Sequence, residues 1–131
     1  MSYLLDTNTL IHFFKGKGNV AARLLSIPPS KISIPSIVQL ELMVGISKSA
    51  APSKRTSQYE EFLSLITVLP FGPQEANKGA QIRVELQSHG RSIGPYDLLI
   101  AATAIVNQRI LVSHNLREFS RIEGLRSEDW Y

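Results

Sequence analysis

Short apolar segments alternate with longer segments of helical character along all 131 residues. The strand-like segments are three or four residues long; one of them, Lys31–Ile34, alternates between polar and apolar residues. The segments between them repeat apolar residues every three or four positions. Short strands separated by helices of about 8 to 15 residues are typical of an α/β domain with a parallel sheet. The predicted strands are Tyr3–Leu5, Lys31–Ile34, Thr67–Leu69 and Ile110–Val112.

The helices are predicted between and after these strands. Thr7 and Asn8 are expected to cap the first helix. A helix that begins at Gly94-Pro95 is apolar on every side, so we expect it to be buried in the centre of the domain. Residues 49–56 are small, polar and basic, and are predicted to form a mobile loop. The other predicted helices cover residues 19–26, 35–47, 59–66 and 74–88, with a short one around residue 118.

The composition excludes several classes of protein. There is no cysteine, which excludes disulfides, zinc fingers, iron–sulfur clusters and thiol catalysis. No apolar run approaches the roughly 18 residues of a membrane span. No basic N-terminal region resembles a secretion signal. We therefore expect one cytoplasmic domain over residues 1–131, with no membrane partner.

Four carboxylates lie where predicted strands or turns meet helices. Asp6 ends the first strand, Glu41 interrupts an apolar run, Asp97 opens the apolar helix and Glu118 follows the last strand. A carboxylate beside apolar segments is costly to bury unless it is paired or holds a cation. Sites in parallel sheets form beyond the carboxyl ends of the strands, so we expect the four to converge. Convergent carboxylates are ligands for Mg²⁺ or Mn²⁺.

Each acid also has a purely structural alternative. Asp6 and Asp97 are placed where helix caps occur, Glu41 could face solvent, and Glu118 could pair with a neighbouring arginine. Four such coincidences at compatible positions favour a shared site over four separate structural roles.

The sequence lacks the residue spacings that several other kinds of active site require. The sequence has no phosphate-binding loop of the P-loop type and no nucleophile elbow. Gly16-Lys17-Gly18 lacks both the third glycine and the preceding strand of a dinucleotide-binding fingerprint. Asn8 stands where a phosphatase with an aspartate nucleophile needs a second aspartate.

The net charge of +3 is compatible with a polyanionic partner such as RNA or DNA. An ordinary solvated surface is the alternative interpretation of this modest excess. For Arg83 a structural ion pair is the alternative role. The residues predicted to hold RNA phosphates are Lys15, Lys17, Lys48, Lys54, Arg55 and Arg83.

Four segments, in order, resemble the successive motifs of PIN domains. The segment Gly124–Trp130 is similar to the last residues of VapC-type toxins within that family. The segments that carry the PIN resemblance are Leu4–Asn8, Leu40–Leu42 with Gly45, Ile93–Ala102 and Leu111–Phe119.

This resemblance implies a three-layer α/β/α sandwich with a short parallel central sheet. It implies a toxin that is an Mg²⁺- or Mn²⁺-dependent endoribonuclease acting on tRNA or another structured RNA. It also implies inhibition by a VapB-type antitoxin, a homodimer and a toxin–antitoxin hetero-oligomer. Two residues depart from the pattern: Asn115 stands where many relatives have aspartate, and His114 where asparagine or aspartate is more usual.

The resemblance and the charge pattern together suggest a role for each site residue. Asp6 and Asp97 are expected as principal metal ligands, and Glu41 as the group that orients or deprotonates water. Supporting hydroxyls are expected from Thr7 and Ser113. The remaining metal-site residues, which complete the rim, are Glu118 and Asn115.

Two rival functions remain open at this point. One is a PIN-like binding or regulatory protein that has lost catalysis, although intact clustered acids argue against it. The other is a metal-dependent phosphatase or DNA nuclease, because the same carboxylate chemistry serves RNA and DNA.

Overall fold

The computed structural model describes residues 1–131 and contains a single five-stranded parallel sheet, in the order β3-β2-β1-β4-β5. Its strands are β1 (Tyr3–Leu5), β2 (Ile32–Pro35), β3 (Thr67–Leu69), β4 (Ile110–Val112) and β5 (Ser127–Glu128). The helices are α1 (Thr7–Lys15), α2 (Val20–Leu25), α3 (Ser36–Ser47), α4 (Pro52–Leu63), α5 (Pro73–Ser88), α6 (Pro95–Val106) and α7 (Leu116–Phe119), with a short 3₁₀ helix at Pro29–Lys31. None of these helices is both long enough and apolar enough to cross a membrane.

The order of the strands reverses its direction across the sheet between β1 and β4. The chain moves outward from β1 to β2 and β3, then returns across the sheet to β4 and β5. Because crossovers between parallel strands are right-handed, the helices before β3 and those after it cover opposite faces of the sheet. The result is the expected three-layer α/β/α sandwich. Open sheets of this kind bind ligands at the point where the strand order reverses.

The central strands are buried on both faces. Leu4, Leu5, Ile34 and Leu111 are completely inaccessible to solvent. Burial of such a side chain stabilises the fold by about 1.5–3 kcal/mol. Leu5 pairs with Val112, so β1 and β4 end at the same level of the sheet. The residues that follow these two strands are therefore neighbours.

Helices α5 and α6 pack closely against each other, and α6 also contacts β4. A Cβ added at Gly79 of α5 would lie 3.7 Å from the Cβ of Ala102 in α6. Residues 100–104 of α6 are all buried, which confirms the prediction of a buried central helix. Small side chains allow this close approach.

The prediction of a mobile loop at residues 49–56 was wrong, because α4 already begins at Pro52. Proline is favoured in the first helical turn, since its fixed φ suits the helix and its missing N–H would be unpaired there. Tyr59 anchors the helix: it is 2% exposed. The polar residues at the start of α4 remain on its exposed side.

Two further details differ from the sequence prediction. Asp6, rather than Thr7 or Asn8, is the cap of α1, because its backbone is extended and its carboxylate accepts a hydrogen bond from the Thr9 N–H at 2.9 Å. Strand β5 was not predicted, since two residues carry too little pattern to be recognised. The other predicted elements are present, with ends that differ by a few residues.

Candidate active site

The floor of the site is formed where β1 and β4 end. The Asp6 N–H donates to the Val112 carbonyl at 3.2 Å, and the Thr9 hydroxyl donates to the same carbonyl at 3.0 Å. These bonds hold the start of α1 against the end of β4. Asp6 is 6% exposed. Its Oδ1 caps α1, which leaves Oδ2 for an external partner. The capping alternative and a site role are therefore compatible.

Glu41 reaches the site from α3. The Thr7 hydroxyl donates to Glu41 Oε1 at 2.7 Å, across 34 positions of sequence. This bond connects the first turn of α1 to the middle of α3. The predicted alternative of a solvent-facing Glu41 does not hold, since the residue is half-buried and hydrogen-bonded.

Glu118 is held by two donors at the opposite side of the site. The Gly94 N–H donates to Glu118 Oε1 and the Asn115 side-chain amide donates to Oε2, each at 2.8 Å. The buried Ser113 hydroxyl accepts from the Asn115 N–H at 2.9 Å. These contacts fix Glu118 and Asn115 as one unit. They also attach the loop before α6 to α7.

Asp97 lies among the other three acids, in the first turn of α6. Burial, followed in order of effect by the negative charges of Glu118, Asp6 and Glu41, raises the pKa of Asp97 from its ordinary 3.8 to about 6. All three acids from distant parts of the sequence are therefore near enough to act on one carboxyl. The predicted convergence of the four carboxylates is found in the folded chain.

None of the four carboxylates forms an ion pair with a basic side chain. The three ion pairs of the chain are elsewhere, at Arg23–Glu128, His89–Glu85 and His114–Asp129. The repulsion at Asp97 is thus uncompensated within the protein. The donor set consists of oxygens only, as hard divalent cations prefer.

No group of three or more acidic or histidine side chains has the spacing of a ready-made metal site. Mg²⁺ usually keeps several waters and binds one or two carboxylates directly, so a looser ring of acids still fits it. The oxygen-only donor set without a counter-charge fits such a loosely held, hydrated cation.

The basic residues predicted to hold RNA are dispersed. Lys15 and Arg55 line the same groove as Glu41. Arg83 lines a small cavity with Arg91 and forms no ion pair, contrary to its structural alternative. The other three are exposed, and their side chains form no hydrogen bond or ion pair within the chain: Lys17, Lys48 and Lys54.

Two features near the site had no clear signal in the sequence. One is the Gly94 N–H, a main-chain donor that pattern analysis does not detect. The other is the contact of His114 Nδ1 with Asp129 Oδ2 at 2.8 Å, beside the stacked ring of Tyr131. Burial alone would raise the pKa of Asp129, but hydrogen bonds from the Tyr131 N–H and His114, with the charges of His114 and His12, lower it.

The PIN domain model matches residues 3–125, which include all four carboxylates. The chain belongs to the PIN-domain family. This PIN domain is 40% identical over 130 residues to the tRNA(fMet)-specific endonuclease VapC of Salmonella typhimurium, with 99% of this chain and 98% of the relative covered. It is 38% identical, with the same coverage, to the ribonuclease VapC2 of Haemophilus influenzae.

Solved structures of toxin–antitoxin complexes share the fold. The DNA-bound VapBC of Salmonella typhimurium matches this PIN domain with a TM-score of 0.92 and 40% identity, covering 100% of this chain and 99% of that one. VapBC2 of Rickettsia felis, bound to a DNA fragment from its promoter, matches with a TM-score of 0.91 and 34% identity over 100% of both chains. The chain is thus a member of the VapC group of PIN domains.

Proposed function

We propose that this protein is a VapC-type toxin, an endoribonuclease that depends on Mg²⁺ or Mn²⁺ and cleaves RNA at the four-carboxylate site. The observation that carries the proposal is the effect of Glu118, Asp6 and Glu41 on Asp97, whose pKa they raise without any neutralising side chain. Such an arrangement opposes folding and so is retained for binding or chemistry.

A divalent cation suits the donor chemistry of this site. Asp6 and Asp97 would hold it, with Glu41, Asn115 and Glu118 around it as direct or water-mediated partners. A bound cation supplies Lewis acidity, which makes water nucleophilic at neutral pH and stabilises the charge of a phosphodiester during hydrolysis.

The chain's own residues orient the reaction. Thr7 fixes Glu41 through Oε1, so Oε2 is free to accept a proton from the attacking water. Gly94 and Asn115 fix Glu118, which keeps the rim of the site rigid. Ser113 supports Asn115 from the buried side. Thr7 and Ser113 are positioning residues, because each acts through a neighbour.

RNA is the proposed substrate because the matched relatives are named for it. The Salmonella typhimurium relative is called a tRNA(fMet)-specific endonuclease, and the Haemophilus influenzae relative a ribonuclease. We propose tRNA as the first substrate class to test.

The test is to incubate purified protein with total tRNA and Mg²⁺ or Mn²⁺, with and without EDTA, and to map the new ends. We expect discrete RNA cleavage that EDTA stops, and no cleavage of DNA of the same sequence. RNA left intact under all metal conditions would contradict the ribonuclease proposal. Cleavage of DNA at a similar rate would favour the general nuclease instead.

A groove beside Glu41 supports a VapB-type antitoxin as the partner. It has a volume of about 280 Å³, and its apolar side chains come from α1, α3 and α4. The buried Tyr59 hydroxyl at this groove has no hydrogen-bond partner. The apolar residues that line it are Ile11, Phe14, Leu42, Ile46 and Tyr59.

Only part of a nearby aromatic cluster lines the groove. Phe13, Phe14 and Phe62 pack against one another with ring centroids 5.3–5.8 Å apart, and only Phe14 of these three lines the groove. We propose that an amphipathic antitoxin segment occupies this groove and directs a basic side chain past Glu41 to the acids. An arginine there would pair with Asp6 or Asp97 and compete with the metal.

We also propose a homodimer, alone and within the toxin–antitoxin hetero-oligomer. Leu40, Met43 and Val44 of α3 are 40–48% exposed and lie on adjacent turns, which forms an apolar face suited to a second copy. Light scattering of the purified toxin should give twice the monomer mass of 14.6 kDa. A monomer at micromolar concentration would contradict this.

A further inference from the structure

We propose that Arg91, Arg117 and Arg121 form a binding site for RNA backbone phosphates, immediately outside the carboxylate site. This inference rests on the proposed ribonuclease function and names the residues that hold the substrate strand next to the acids. None of these three arginines is among the basic residues that the sequence pattern indicated.

The three arginines line one shallow, open concavity of about 530 Å³. Its lining contains no hydrophobic side chain and no acid. The other residues that line it are Gly90, Ser92 and Ser120.

No arginine of this concavity is neutralised by the protein. Glu118 is adjacent to Arg117 in sequence, yet its two oxygens are taken by Gly94 and Asn115 rather than by an arginine. None of the three ion pairs of the chain involves Arg91, Arg117 or Arg121. Three uncompensated guanidinium groups in one polar concavity are suited to phosphate, which they bind through paired N–H donors.

The concavity and the acidic site share two segments of the chain. The Gly94 N–H donates a hydrogen bond to Glu118. Two residues before Gly94, the Ser92 carbonyl accepts a hydrogen bond from Arg121 Nη1 at 3.2 Å. The segments 90–94 and 117–121 therefore border the arginines on one side and the acids on the other. An RNA strand with a phosphate at the arginines can place a neighbouring phosphodiester at the acids. Positive charge outside the site also offsets the repulsion between substrate and carboxylates.

Arg121 is less suited to a clean test than the other two. Besides its bond to Ser92, it lines a neighbouring concavity that also contains Glu85 and Glu123. Arg91 and Arg117 are exposed and form no side-chain hydrogen bond or ion pair. Their substitution by glutamine removes charge without breaking a contact that holds the fold.

The test compares the double variant R91Q/R117Q with the variant K31Q. Lys31 is exposed and directly precedes β2, so it lies at the amino ends of the parallel strands, away from the site beyond their carboxyl ends, and serves as a charge-removal control. Each variant is combined with Asp97→Asn, so that binding is measured without cleavage. The probe is a fluorescein-labelled single-stranded RNA oligonucleotide of mixed sequence, titrated at several salt concentrations.

We expect R91Q/R117Q to weaken RNA binding about tenfold and to reduce the slope of log K against log salt by about 1.4, the loss of two single-strand phosphate contacts. K31Q should bind like its parent. The same double substitution in the otherwise intact protein should raise KM more than it lowers kcat.

Equal RNA affinity and salt dependence in R91Q/R117Q and K31Q would overturn the inference. This outcome is distinguishable from failure of the proposed function, because RNA cleavage by the unsubstituted protein is measured in parallel. If cleavage occurs and the double variant binds normally, only the arginine site is wrong. If the unsubstituted protein neither binds nor cleaves RNA, the function is wrong as well, and a normal melting temperature of each variant shows that unfolding is not the cause.

Discussion

At the scale of single residues, Asp97 shows how this site sets activity against stability. Its neighbours oppose ionisation, so its pKa lies near 6 rather than 3.8. Between these values the folded chain binds a proton more tightly than the unfolded chain does. The stability of the metal-free protein therefore falls as the pH rises from about 4 to about 6, and the loss is complete above that range.

The substitution Asp97→Asn should remove this loss along with the catalytic charge. At pH 7 the metal-free variant should be more stable than the parent by about 1 kcal/mol, after allowance for solvent screening of a half-buried carboxyl. At pH 4 the two should converge. Calorimetry at both pH values and an RNA cleavage assay measure the two effects.

Glu60→Gln is the matched control, since Glu60 is exposed on α4 and its side chain forms no hydrogen bond or ion pair. It should change neither stability nor cleavage. Full RNase activity in a folded Asp97→Asn protein would remove Asp97 from the mechanism.

Thr7 offers a second test at the residue scale. Thr7→Val keeps the shape of the side chain but removes the 2.7 Å hydrogen bond to Glu41. A bond to a charged group contributes about 1.5–3 kcal/mol, so kcat should fall about tenfold or more. Thr7→Ser retains the hydroxyl and should retain most of kcat. Equal kcat in the Val and Ser variants would show that Glu41 does not depend on Thr7.

At the scale of secondary-structure elements, the contact between α5 and α6 leaves room for one additional methyl group, which should make the protein more stable. Gly79 lies within α5 with ordinary helical geometry, and an added Cβ meets Ala102 at 3.7 Å, a normal van der Waals distance. Gly79→Ala should therefore stabilise the protein by about 0.5–1 kcal/mol through helix propensity alone. Urea unfolding measures the gain.

At Gly18 the same substitution, glycine to alanine, should destabilise the protein. Its φ is +62°, and a Cβ there would lie 2.5 Å from the Tyr131 carbonyl oxygen. Gly18→Ala should destabilise the protein by more than Gly79→Ala stabilises it. A loss of stability in Gly79→Ala would show that the contact between α5 and α6 is tighter than described.

The elements also show what a sequence can and cannot predict. Strands β1 and β4 are uninterrupted apolar runs, so their existence and limits were predictable. Helix α4 was missed at its start because Ser53 to Arg55 carry no apolar periodicity; Pro52 was the available signal. Strand β5 forms only because β4 offers a free edge, which is a tertiary effect.

In the site, too, some features were predictable from the sequence and others were not. The carboxylates could be predicted because an acid beside an apolar segment is conspicuous. The Gly94 N–H that orients Glu118 could not be predicted, because a main-chain donor leaves no pattern in the sequence. The arginine concavity could not be predicted either, because it depends on two segments meeting in the fold. Local pattern does not encode either contact.

At the scale of the whole molecule, the proposed function predicts a toxic protein. Expression should arrest the growth of a bacterial host unless a VapB-type partner is co-expressed. Asp6→Asn should relieve the arrest, and asparagine is as good a helix cap as aspartate, so the fold should survive. Colony counts after induction, with immunoblots for soluble protein, measure the effect.

Glu60→Gln should remain as toxic as the parent in the same experiment. Unimpaired growth with abundant soluble wild-type protein, in a host that lacks a cognate antitoxin, would contradict the toxin assignment. Continued arrest by soluble Asp6→Asn protein would instead place the toxic effect outside the carboxylate site.

We propose that four carboxylates share one site that a divalent cation completes. The most direct test of this proposal is an NMR titration of the Asp97 side-chain carboxyl, first without metal and then with millimolar Mg²⁺. We predict a pKa of about 6 without metal, where burial and three acids oppose ionisation, and a fall below 3.8 when Mg²⁺ binds. A metal-free pKa near 3.8, or one that Mg²⁺ leaves unchanged, would show that the four carboxylates do not form a shared cation site.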